Sequence, residues 1–182
     1  MVSAWNLIST LVDCCAGWCV WSLAHNLGHR WWHVEMREGK KTFYARGERE
    51  HHRVYDAHGQ REYHRREDPG ELFISFPLAV VAPIGLVFVA GYGLLRGWPR
   101  CLPFAAWMYG CMMMDHRLHI LFHRSGRLPG VLGWFQQMHL IHHHTHRYNY
   151  FFVSGLVWDL LLRTARTNSD VMASGEPILS EQ

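Results

Sequence analysis

Residues 72–95 form an unbroken apolar stretch without one charged side chain, and this run limits the fold more than any other feature. A helix needs roughly 20 mostly apolar residues to cross a bilayer's hydrocarbon core. The run is long enough, and Pro77 and Pro83 within it predict a kink or a re-entrant hairpin. Two weaker candidates flank it. Residues 5–23 include Asn6, Ser9, Thr10 and Asp13. Residues 101–122 are apolar up to Met114, then turn polar with Asp115, His116 and His119, so their last turns leave the hydrocarbon. Trp5, Trp21, Trp98 and Trp107 fall near the proposed span ends, where amphipathic rings favour the interface. The pattern predicts an all-α integral membrane protein; the alternative is a buried helical soluble protein.

Charge gives an independent reading of the same topology. Three spans, with residues 96–100 as a short turn between the second and third, put residues 24–71 and 123–182 on one side. Ten of the 18 Lys and Arg residues lie in 24–71 and six from Arg117 onward, against only Arg96 and Arg100 in the turn. By the positive-inside rule the first side is cytoplasmic. All seven histidines from His25 to His64 fall there, and the other eight follow from His116 on. The formal charge of +3 gives no reason to invoke nucleic acid. The five cysteines make no CxxC pair or zinc-ribbon spacing and read as reduced apolar packing residues. The first segment lacks a basic leader and carries Asp13, so it reads as a retained membrane helix rather than a cleaved signal. Residues 35–71 are densely charged and read as a cytosolic connection with helical pieces. One domain is expected over 1–166, followed by a disordered tail over 167–182.

Fifteen histidines in 182 residues are far above ordinary usage, and most fall into four clusters. His25, His29 and His33 follow one another at i, i+4, which puts them on one helical face. Glu48, His51 and His52 are spaced i, i+3, i+4, and so are His139, His142 and His143. His119 and His123 form another i, i+4 pair, after Asp115. Such spacing lets one face offer several imidazoles to a single ion. Imidazole suits Fe, Zn, Cu and Ni, so ligand type does not select the metal. A structural zinc site uses four ligands, usually with cysteines, whereas about ten candidates on four helices suffice for two ions. A lone HxxxH carries little weight; four clusters on one side of the membrane carry much more. His58, His64, His144 and His146 fit no such spacing and read as solvated or supporting groups. Asp13, inside a span, is either functional or a structural hydrogen-bond partner.

The order of these clusters resembles the fatty acid hydroxylase and sterol desaturase superfamily, whose elements run HRxxH, HxxHH, a histidine pair after a span, and HxxHH. HRWWH (29–33) matches the first element and HLIHH (139–143) the last, and NYFFVSGLVWDLLLRT (149–164) is similar to the closing stretch. The resemblance covers roughly residues 20–166. It implies a membrane domain of three or four transmembrane helices, with a cytosolic helical cap holding a dinuclear metal site. The implied ligands are His29, His33, Glu48, His51, His52, His119, His123, His139, His142 and His143. Two departures stand out. Glu48 replaces the histidine that opens the second element, and only three of the family's usual four spans are clear. His25 is then an extra or supporting group, and Asp115, Asp159 or His116 would orient ligand rings.

The resemblance further implies O2 activation at two iron ions and hydroxylation of a C–H bond in a lipid-like substrate: fatty acyl, sterol or isoprenoid. Zinc can replace iron on purification. The chain has no flavin fingerprint, haem-binding domain or iron–sulfur cysteine cluster, so electrons would come from an NAD(P)H-linked reductase through cytochrome b5 or a ferredoxin. Desaturase, carotenoid hydroxylase and aldehyde-cleaving activities are alternatives within the same superfamily. A non-enzymatic membrane metal or haem carrier is an alternative outside it. A zinc protease is disfavoured because the chain contains no HExxH.

Overall fold

The computed structural model describes residues 4–54, 82–123, 126–150 and 153–173, and every regular element among them is helical. The helices are α1 (Ala4–Arg37), α2 (Phe43–Val54), α3 (Ala82–Arg96), α4 (Cys101–Phe122), α5 (Gly130–Thr145), α6 (Leu156–Leu161) and α7 (Asn168–Ala173). Short 3-10 turns occupy Trp98–Arg100 and Val153–Gly155. Among the described residues one helix, α1, is long and apolar enough to cross a membrane, and Gly85–Arg96 is a shorter apolar helix. Residues 72–81 of the expected second span lie outside the described residues, as do His58 and His64. The chain falls into two compact units: Met1–Ala24 with Asp68–His116, and His25–Glu67 with Arg117–Gln182. Helices α1 and α4 each contribute residues to both, so no linker in the sequence marks the division.

The first unit is built on close helix packing. Trp21, Phe104, Met108, Cys111 and Met112 form its buried core, with Tyr92 stacked on Phe104 at 4.1 Å between ring centroids. Gly17 makes the crossing of α1 and α4 possible, because a Cβ there would collide with the Phe104 carbonyl oxygen. Two buried carboxylates are satisfied by neighbours from other helices. The Trp21 indole donates to Asp115 at 2.8 Å. Asp13, 0% exposed, accepts the Tyr92 hydroxyl at 2.5 Å and lies 3.4 Å from the Arg100 guanidinium. Of the two roles open to Asp13, its surroundings support the structural one.

The second unit is held by local caps and a few buried polar side chains. Helix α1 ends in a Schellman turn: Lys40 N–H reaches the Glu35 carbonyl and Gly39 N–H the Met36 carbonyl, with Gly39 at φ +71°. Three residues on, the Thr42 hydroxyl caps α2 by accepting from Ala45 N–H and donates to buried Glu35 at 2.6 Å. The connection from α4 to α5 is tied by Gln136, whose amide donates to the Phe122 and Gly126 carbonyls and accepts from Leu128 N–H. Asp159, fully buried, accepts from Asn26 of α1 at 2.8 Å and from the Thr164 hydroxyl. Met138, Ile141 and Val171 form the small apolar core. Val171 belongs to α7, inside the expected disordered tail; Thr167 and Asp170 cap that helix reciprocally, and 174–182 lie outside the described residues.

Candidate metal centre

All ten ligands expected from the sequence lie in the second unit and come together there as one set of five and a second set made of two triplets. His51, His119, His123, His139 and His143 form one set, with one donor atom from each within 4.8 Å of the others. The second is two overlapping triplets sharing His33: His29, His33 and His142, then His33, Glu48 and His52. Helical phase explains the sorting. Residues four apart share a face, so His29 and His33, Glu48 and His52, His119 and His123, and His139 and His143 each serve one set. Adjacent residues diverge by about 100°, so His51 and His52 go to different sets, and so do His142 and His143.

The ring nitrogens meet too closely and too often for hydrogen bonding alone. His123 Nε2 lies 3.0 Å from both His119 Nε2 and His139 Nε2. His33 Nε2 lies 3.1 Å from His29 Nε2, 3.3 Å from His52 Nε2 and 3.6 Å from a Glu48 oxygen. His51 and His143 meet Nε2 to Nε2 at 3.1 Å. One ring nitrogen offers either a proton or a lone pair, so it satisfies one such neighbour, not several. A shared cation would satisfy them together. With metal–nitrogen bonds of about 2.1 Å, donors at a right angle sit about 3.0 Å apart and tetrahedral ones about 3.4 Å. The observed spacings of 3.0–3.6 Å fall in the range that donors of one shared ion would span.

Two rings are set in the ligating tautomer by main-chain carbonyls. His142 Nδ1 donates to the Tyr148 carbonyl at 2.8 Å, and His29 Nδ1 to the Tyr150 carbonyl at 3.0 Å. In the neutral ring the opposite nitrogen of each then carries a lone pair. His142 Nε2 is buried with no hydrogen-bond partner. Burial, and after it the neighbouring imidazoles, hold His51, His52, His139 and His142 well below the ordinary histidine range. Those rings are neutral at pH 7, the state that binds metal.

Glu48, the departure from the expected motif, stands among the donors, 3.6 Å from both His29 Nε2 and His33 Nε2 and 4.0 Å from His52 Nε2. His25 lies outside both sets, with its ring 5.6 Å from that of His29. Asp159 acts on the helix bearing His29 through Asn26. The Asp115 carboxylate takes the Trp21 indole, in the first unit. His144 and His146 are half-buried, and the His146 ring packs 4.3 Å from that of His52. Buried Tyr150 flanks three ligand rings, those of His29, His33 and His142, and was not singled out from the sequence. Searches of protein-family models, curated proteins and solved structures return no match to this chain.

Proposed function

We propose that the chain is an integral-membrane, O2-dependent oxygenase with two iron ions that hydroxylates a C–H bond of a lipid-like substrate: fatty acyl, sterol or isoprenoid. The observation that carries this reading is the convergence of nine histidines and half-buried Glu48 as one set of five and two triplets that share His33. Five donors exceed the four of a tetrahedral zinc site, and a mixed imidazole and carboxylate set suits non-haem iron. Bound there, iron would supply O2 activation and the oxidising power for C–H chemistry. Electrons would come from outside, through a reductase and a cytochrome b5 or ferredoxin.

The chain's own residues hold, orient and dry the site. Nine imidazoles and Glu48 supply the donors, and the Tyr148 and Tyr150 carbonyls fix two of the rings. Burial of His33, His123, His139, His142 and His143 keeps bulk water from the reacting centre. Membrane placement is supported by α1 and by the large apolar side chains that the first unit exposes, among them Leu11, Leu86, Val87, Leu95 and Leu102. The distribution of Lys and Arg supports a cytoplasmic side for the histidine-bearing segments.

The test is metal analysis of detergent-purified protein from iron-replete cells, beside O2-dependent product analysis with a lipid panel. Two iron ions per chain and a hydroxylated lipid are expected. Desaturated or chain-shortened products would move the chemistry to another outcome at the same site. A haem absorption band, or no metal at all, would overturn the reading.

A further inference from the structure

The two carbonyls that orient ligand rings belong to Tyr148 and Tyr150, on either side of Asn149. Through His142 on α5 and His29 on α1, both act on the same set of donors, the one containing Glu48. Asn149 is 1% exposed and sits at φ +54°, a left-handed conformation that asparagine tolerates better than most residues. All of its polar groups but its carbonyl oxygen are engaged by named partners. Its side-chain amide donates to the Met138 carbonyl at 3.0 Å and the Arg166 carbonyl at 2.9 Å. Its side-chain oxygen accepts from Arg166 N–H at 2.7 Å, and its own N–H donates to the Thr164 carbonyl at 2.9 Å. One residue thus ties the exit of α5 to the segment 164–166 and turns the chain between the two carbonyls.

We infer that Asn149 is a positioning residue for one of the two metal centres: it fixes the Tyr148 and Tyr150 carbonyls and, through them, the Nε2 atoms of His142 and His29. The inference rests on the two-metal reading above. It assigns Asn149 to the centre of His29, His33, Glu48, His52 and His142, where both oriented rings lie; its one described tie near the other set is the Met138 carbonyl, one residue before His139. No other residue type meets both demands. Glycine accepts the backbone twist without the side-chain ties, aspartate loses both donated bonds, and alanine lacks the ties and strains the backbone.

The test titrates metal-stripped, detergent-purified full-length protein with cobalt(II), read by visible absorption and by bound cobalt per chain. Wild type is expected to take up two equivalents. In Asn149→Gly one equivalent should bind as in wild type and the other roughly 10–100-fold more weakly, the usual loss when a residue supporting a metal ligand is removed. Asn149→Asp, which keeps the bond from Arg166 N–H, should show the same selective loss and serves if the glycine variant does not fold. Wild type without cobalt uptake sinks the two-metal reading and this inference together. Two equivalents in wild type, with unchanged or equally weakened binding at both centres in the variants, sinks the inference alone. Failure of both variants to fold also overturns it, because Asn149 would then serve the whole unit rather than one centre.

Discussion

His51 and His143 come from α2 and α5, yet their Nε2 atoms lie 3.1 Å apart, while His52, the neighbour of His51, meets His33 of α1 at 3.3 Å. One step along α2 therefore separates the two donor sets. The same holds on α5, where His143 joins His51 and His142 joins His29 and His33. Two short helices each face both donor sets, and a rotation of either one would disturb both.

Single alanine substitutions at the adjacent pair should therefore have separable effects on metal and the same effect on turnover. His51→Ala removes a donor from the set of five histidines, and His52→Ala one from the set containing Glu48. Each variant should retain about one metal ion of two, and the double variant close to none. All three should lose product formation if both ions are needed for O2 chemistry. Metal content per chain, read beside product yield, checks this. Loss of both ions in each single variant would show a single shared site.

The ten donors were legible in the sequence because a helix repeats every 3.6 residues, and side chains at i and i+4 must then share a face whatever the tertiary fold. The all-helical expectation came instead from apolar runs long enough to span a bilayer as helices. What escaped was carried by groups with no sequence identity. The Tyr148 and Tyr150 carbonyls are backbone atoms, and nothing in the residue types of 146–150 tells where they point. Gln136 resembles any polar helix residue until its three partners are in place. The division into two units was hidden because α1 and α4 pass through both without a break. Helix α7 was missed although its signal was present: Thr167 and Asp170 are three apart, the spacing of a reciprocal cap.

Gln136→Ala removes one side chain from three backbone partners at the turn between α4 and α5. The Phe122 and Gly126 carbonyls lose a donor and Leu128 N–H loses an acceptor, around a residue only 3% exposed. Each buried polar group left unsatisfied costs about 1–3 kcal/mol, reduced where water enters. A fall in the thermal midpoint, with metal content per folded chain unchanged, is expected in detergent. His123 lies one residue beyond Phe122, so loss of metal at the five-histidine centre would instead show that the turn also positions that ligand.

Gly17 gives a test in the first unit, away from the metal ligands. Any Cβ there meets the Phe104 carbonyl oxygen and crowds Met108 N, both backbone atoms that cannot rotate aside. Gly17→Val should force α1 and α4 apart and cost about 1–3 kcal/mol, the usual range for overpacking. Gly28, whose Cβ would meet only the Trp32 side chain at 3.4 Å, is the comparison site. Thermal unfolding should separate Gly17→Val from Gly28→Ala; equal midpoints would show that the helix crossing is looser than described.

Glu48 stands where the resembled motif has histidine, and its surroundings support the proposed role as a ligand. One carboxylate oxygen lies 3.6 Å from the nitrogens of both His29 and His33, and it supplies the one negative charge among the ten donors. Glu48→Gln keeps the shape and removes the charge. It should weaken metal at that centre at least as much as loss of a supporting residue does, roughly 10–100-fold, and leave the five-histidine centre loaded. Glu48→His restores the resembled motif and should recover metal content, since imidazole and carboxylate both serve iron. Glu48→Ala should then be the worst of the three. Metal per chain across the series, beside product yield, reads the order. Full metal and full turnover in Glu48→Ala would remove Glu48 from the ligand set and leave that centre with four imidazoles.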